Sequence, residues 1–168
     1  MGDMFQTEVF LHWRDMFHFE IDLHSYVLLQ SCEEITILDK AERLSRQAHL
    51  GQERKNGNPY INHIEDVVLR LGDDRDAKIV GWLHDVLEDS DLTSDKLISE
   101  GIPAVLVKEV QLLTKRREQT YSQYIDIVKT SSIAIKVKKA DIISNLSDNP
   151  SNKQIVKMAK ALIQLCAE

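Results

Sequence analysis

Apolar residues return every three or four positions along most of this chain, and that spacing places them on single faces of helices. Ile35, Leu38, Ala41, Leu44 and Ala48 form one such face; Val105, Leu106, Val110 and Leu113 form another. Alternation of apolar and polar residues occurs once, in "IAIKVKK", and that piece runs into a helical pattern. The near absence of period-2 runs removes the strands that an α/β fold needs. The predicted fold class is all-α, a bundle of about seven or more helices.

Turn chemistry predicts where the helices start and stop. Ser31 and Glu34 have the spacing of a capping box ahead of the first helix. "GQERKNGNPY" is a loop, since Gly51, Gly57, Asn58 and Pro59 are turn formers. A helix follows from Ile61 to Leu71, then a stop at Gly72, then "DAKIVGWLHDVLED" as one helix ending near Asp89. Ser94, Pro103 and Thr120 mark later starts, "SIAIKVKKADIISNL" comes next, and a last helix runs from after Pro150 toward Cys166.

The chain divides into residues 1–30 and a helical domain over 31–168. In the first part Phe5, Val9, Trp13 and Phe17 recur every four residues. Its histidines, His12, His18 and His24, are six apart, which turns each by about 240° around a helix, so they cannot share a metal from one helix. This segment reads as a packing appendage or an extended start of the reading frame, with a functional arm as the alternative.

With 168 residues, the chain can bury a sizeable core, and its formal charge of -6 argues against a general nucleic-acid binder. A few local Lys and Arg can still form a pocket for a small anion. Cys32 and Cys166 lack metal-like spacing and suggest no disulfide framework, so a cytoplasmic location is expected. No apolar run approaches the roughly 20 residues of a membrane span. A protein partner or a homo-oligomer is left open.

The chemistry concentrates in "GWLHDVLEDS", where His84, Asp85, Glu88 and Asp89 interrupt an apolar pattern. On a helix, His84 lies above Glu88, Asp85 above Asp89, and farther on Asp141 above Asn145. A lone His or Asp on a helix is usually a surface or satisfied polar group. Two imidazoles and two carboxylates from three helices, His63, His84, Asp85 and Asp141, form instead a mixed N/O set suited to Mn²⁺, Fe²⁺ or Zn²⁺. Such an ion lowers the pKa of water and offsets phosphoryl charge, and Glu88 and Asp89 stand one turn away for proton transfer.

Three motifs occur in order: "AHLGQERKNGNPYINH" at 48–63, "WLHDVLED" at 82–89 and "KKADIISNL" at 138–146. Together they resemble the hydrolase domain of RelA/SpoT-type alarmone enzymes, within the HD-domain phosphohydrolase superfamily. The likeness spans about residues 35 to 165 and is closest to the stand-alone small alarmone hydrolases. It implies an HD-domain helical bundle in which His63, His84, Asp85 and Asp141 bind Mn²⁺. It further implies that Glu88 and Asp89 handle water and protons, that Arg54 and Lys55 face the nucleotide, and that Asn145 holds the nucleoside. Tyr60 is read as a packing residue, and Lys136, Lys138 and Lys139 as a solvated helix face, with positive field near the site as the alternative.

Two positions depart from the family pattern. Ile64 stands where proline usually follows the first metal His, and Ser147 and Asp148 replace a basic residue after Asn145. The implied activity is Mn²⁺-dependent removal of the 3′-pyrophosphate from guanosine tetra- or pentaphosphate. Alarmone synthesis is not expected from a chain of this length. The altered "NLSD" segment motivates a second substrate class: adenosine alarmones, NADPH or nucleoside monophosphates. A metal-bound regulatory or antitoxin-like module is the non-enzymatic alternative, and the Glu88–Asp89 pair speaks against it.

Overall fold

A computed structural model describes residues 35–167, and among them nine α-helices and one isolated β-bridge form the regular structure. The helices are α1 (Ile37–Ala48), α2 (Ile61–Leu69), α3 (Arg75–Leu83), α4 (Val86–Asp89), α5 (Ser94–Ser99), α6 (Ala104–Leu113), α7 (Tyr121–Val128), α8 (Ser132–Leu146) and α9 (Asn152–Cys166). The fold is all-α, as expected. The aromatic and histidine pattern of residues 1–30, Cys32 and the Ser31–Glu34 pair lie outside the described residues.

Side-chain caps set most helix starts. Thr36, Thr120 and Ser151 each form a reciprocal capping box, with Asp39, Gln123 and Gln154 respectively. Helix α1 therefore begins after Thr36, later than a Ser31 cap would place it. Ser131 caps α8 at Ala134, so the alternating "IAIKVKK" segment is helical throughout.

α3 and α8 sit at the centre. α3 packs on α1, α2, α6 and α8, while α8 also meets α2, α6, α7 and α9. Their shared interior holds Ile79, Val80, Leu83, Val137, Ala140 and Ile142, with Ile64 and Val67 of α2 and Val107 and Val110 of α6. Burying a branched aliphatic side chain of this size contributes about 1.5–3 kcal/mol. The consequence for the site is rigidity, because α2, α3 and α8 are fixed against one another by this core.

One expected helix is broken. "DAKIVGWLHDVLED" forms α3 and the four-residue α4, separated at His84 and Asp85. His84 Nδ1 hydrogen-bonds the Gly81 carbonyl at 2.8 Å, taking the acceptor that a continuing helix would offer to the Asp85 amide. The amides of Glu88 and Asp89 both restart the ladder on the Asp85 carbonyl, at 3.1 and 2.9 Å. Trp82, Leu83 and Val86 are buried on the core side, and Leu87 packs partly against it.

Candidate metal centre and substrate loop

His63 lies in the first turn of α2, His84 at the end of α3 and Asp141 within α8, so three mutually packed helices each present one group. One ligand atom from each falls within 4.8 Å of the others, and all three residues are buried. Asp85 stands at the rim of this cluster with its Oδ2 3.1 Å from His84 Nε2 and 3.8 Å from His63 Nε2. The structure thus brings together all four residues of the expected ligand set.

The electrostatics of the cluster call for a cation. Because the Gly81 carbonyl only accepts, His84 Nδ1 carries a proton, and a neutral ring would turn the Nε2 lone pair inward. That nitrogen is buried and has no hydrogen-bond partner, although Asp85 Oδ2 is 3.1 Å away and Asp141 Oδ1 3.9 Å. The Asp85 approach is an ionic contact without hydrogen-bond geometry. A lone pair facing two carboxylates is repulsive unless a proton or a metal ion lies between them. Burial alone depresses the pKa of His84, but the charges of Asp85 and Asp141 outweigh it and push the ring up to about 9. The donor set therefore fits a divalent ion with N/O preference.

Neighbouring groups hold these donors in place. His63 Nδ1 meets Ser144 Oγ at 2.9 Å, leaving Nε2 toward Asp141 Oδ1 at 3.3 Å. Asp141 Oδ2 accepts from Lys138 Nζ at 2.8 Å, and its Oδ1 accepts from Asn145 Nδ2 at 2.5 Å. Burial raises the Asp141 pKa, yet Lys138 and the two histidines prevail and hold it well below the usual carboxylate range. Asp85 is likewise held ionised, against burial, by the His84 charge beside it.

Lys138 is thus no part of a solvated face. Its ammonium is mostly buried, paired with Asp141 and placed 5.0 Å from the Tyr124 ring centroid. The other two lysines differ: Lys136 is exposed and pairs with Asp74, while Lys139 is half-buried.

Tyr60 also does more than pack. Its hydroxyl donates to Asp85 Oδ2 at 2.6 Å and lies 3.3 Å from Asp89 Oδ2, while its ring sits between those of His49 and His63. His49 is buried, with Nδ1 on Gln52 Oε1 at 2.8 Å, and Gln52 Nε2 donates to the Asp89 carbonyl at 2.8 Å.

The two expected proton-transfer residues are placed differently. Asp89 reaches the cluster through Tyr60, and its carboxyl is raised by burial and by the Asp85 charge. Glu88 turns away, with Oε2 accepting from the Lys115 backbone N–H at 3.2 Å. Because the helix breaks at His84 and Asp85, Glu88 makes no contact with His84 of the kind an unbroken helix would allow.

On the loop, Arg54 Nη2 donates to Asn145 Oδ1 at 2.9 Å, and Asn145 in turn holds Asp141. Arg54 Nε also pairs with Asp148 Oδ2 at 3.0 Å. Lys55 is exposed and makes no ion pair among the described residues. Arg54 and Asn145 are therefore wired to the metal-type cluster, and Lys55 is not.

No protein-family model matches the chain. It is 33% identical over 127 residues to a guanosine-3′,5′-bis(diphosphate) 3′-pyrophosphohydrolase of Aquifex aeolicus, covering 73% of this chain and 18% of that protein. It is 27% identical over 128 residues to a GTP pyrophosphokinase of Streptomyces antibioticus, covering 73% of this chain and 15% of that protein. The chain thus spans less than a fifth of the length of these relatives, whose names describe opposite activities. A solved structure of a metazoan SpoT orthologue, described as hydrolysing ppGpp and acting in starvation responses, matches with a TM-score of 0.68 at 21% identity. The match covers 79% of this chain and 86% of that one. That likeness shows a shared fold.

Proposed function

Because this chain belongs to the RelA/SpoT family over its hydrolase-type helical domain, we propose that it removes the 3′-pyrophosphate from guanosine tetra- or pentaphosphate. The products are GDP or GTP and pyrophosphate. The observation that supports this reading most is the buried His63–His84–Asp141 cluster with Asp85 at its rim, a cation-seeking N/O site of hydrolytic type. Mn²⁺ is the ion proposed, held by His63, His84, Asp85 and Asp141. When bound it supplies Lewis acidity toward a phosphoryl oxygen and lowers the pKa of water.

The chain's own residues do the rest. His63 and His84 would present Nε2 to the ion, because Ser144 and the Gly81 carbonyl hold their Nδ1 atoms. Asp89, with its carboxyl raised and its Oδ2 near the Tyr60 hydroxyl, accepts the proton of the attacking water. Water adds to the phosphorus bonded to the ribose 3′-oxygen; that P–O bond breaks, and the proton passes to the departing oxygen. Glu88 is assigned to orient water or shuttle that proton from the exposed side. Arg54, Lys55 and Asn145 are assigned to the nucleotide.

The test is product analysis with purified protein and Mn²⁺. Release of pyrophosphate and GDP in equal amounts from guanosine tetraphosphate supports the reading. A second reading keeps the centre and changes the substrate to an adenosine alarmone, NADPH or a nucleoside monophosphate. The Arg54–Asp148 pair favours it, since a carboxylate partly cancels the charge of that arginine. Phosphate as the sole inorganic product would select NADPH or a nucleoside monophosphate, and pyrophosphate released from an adenosine alarmone but not from guanosine tetraphosphate would select the adenosine substrate.

The described helices include none long and apolar enough to cross a membrane.

A further inference from the structure

The Arg54 guanidinium is held by two side chains, Asp148 and Asn145. Its Nε–H meets Asp148 Oδ2 at 3.0 Å and its Nη2 donates to Asn145 Oδ1 at 2.9 Å, so both contacts lie along the edge of the plane. The other Asp148 oxygen accepts from Asn56 Nδ2 at 2.5 Å, tying the same loop a second time. The loop itself is pinned by the Glu53–Pro59 bridge and by the Arg54 amide on the Asn58 carbonyl at 2.8 Å. Asp148 is presented by a turn, since α8 ends at Leu146 and Asn149 takes φ +49°, a left-handed conformation that Asn tolerates. Two distant chain segments thus meet at one charge pair, Arg54–Asp148, and Arg54 connects through Asn145 to Asp141 of the metal-type cluster.

A guanidinium offers two things to a nucleotide: N–H donors at its edge, which suit phosphate, and a flat face, which suits a base. Asp148 occupies part of the edge and cancels much of the charge that would draw a phosphate there. Among the described residues no aromatic ring covers the Arg54 face. We infer that Asp148 is a specificity-determining positioning residue, which fixes Arg54 for stacking on a planar nucleobase and turns phosphate groups away from it. This rests on the proposed nucleotide hydrolase reading and assigns the base end of the substrate to the Arg54 loop. The phosphate end then lies toward His63, His84 and Asp141.

The test is calorimetric binding of two probes, inorganic pyrophosphate and GDP, to the Mn²⁺-loaded wild type, D148N, D148E, R54A and R54A/D148N. Removing the carboxylate charge is expected to strengthen pyrophosphate binding roughly 1.5- to fivefold, the scale of one partly exposed charge contact. GDP binding is not strengthened in parallel, so the ratio of GDP to pyrophosphate affinity falls. D148E, which keeps the charge, retains the wild-type ratio. In the R54A background D148N no longer changes it. An unchanged ratio in D148N, or the same change without Arg54, overturns the role of Asp148 while leaving the hydrolase reading intact. A wild type that binds neither probe overturns both.

Discussion

His84 Nε2 lies 3.1 Å from Asp85 Oδ2, while its Nδ1 is committed to the Gly81 carbonyl at 2.8 Å. The chain bends out of its helix between these two residues, so that adjacent side chains converge on one point. Buried imidazole nitrogen facing carboxylate is stable only with a positive charge between them, and that charge is a proton or a metal ion.

Metal binding is therefore expected to release a proton. With the His84 pKa near 9 in the metal-free protein, the ring is protonated at pH 7.5 and must give up its proton to ligate. Mn²⁺ affinity rises about tenfold per pH unit between pH 6.5 and 9 and flattens above. Calorimetry in buffers of different ionisation enthalpy reads the released proton; a metal titration without proton release contradicts the arrangement.

The same group sets a stability profile. Its folded pKa lies above the unfolded 6.5, so the stabilisation it contributes is fully present below about pH 6.5 and is lost as pH rises through about 9. The contribution is on the order of a few kcal/mol. Metal-free protein is expected to lose melting temperature across that window, and Mn²⁺ to abolish the loss.

Lys138→Met leaves Asp141 buried without its ammonium partner, and breaking such a pair costs about 3–5 kcal/mol. A bound divalent ion supplies the missing positive charge. Thermal unfolding of this variant is expected to show a much larger Mn²⁺ stabilisation than the wild type shows; equal stabilisation would mean that Lys138 and the ion do not share Asp141.

Tyr60→Phe removes the hydroxyl that touches both Asp85 and Asp89. That hydrogen bond lowers the Asp89 pKa, so its loss raises the pKa further. With Asp89 as base, the acidic limb of the pH–rate profile moves to higher pH and kcat falls. An unmoved limb takes Asp89 out of the base role.

How much of this was legible in the sequence follows from how local each signal is. Helical periodicity predicted α1 and α6, because one buried face repeats over two or more turns, while turn formers and caps placed α2, α7, α8 and α9. The three motifs pointed to His63, His84, Asp85 and Asp141 together, and the structure places them in one cluster. The break between α3 and α4 was hidden, since "LHDVLE" holds neither Gly nor Pro and the competing contact is a side chain folding back on Gly81. Lys138 looked like surface because its burial depends on Tyr124 and Asp141, the former far away in the chain. Tyr60 was misjudged for the same reason: its partners, Asp85 and Asp89, are 25 and 29 residues away.

Arg54→Ala is expected to raise KM about tenfold to a hundredfold with a smaller change in kcat, the scale of one charged contact to substrate. Steady-state kinetics decide this, and an unchanged KM removes Arg54 from the nucleotide contacts.

The most direct test of the central claim is a single incubation of purified protein with Mn²⁺ and guanosine tetraphosphate, with nucleotide, phosphate and pyrophosphate resolved. GDP and pyrophosphate in equal amounts, lost in Asp85→Ala, are the expected result. Intact substrate, phosphate as the inorganic product, or full turnover by Asp85→Ala would contradict the account.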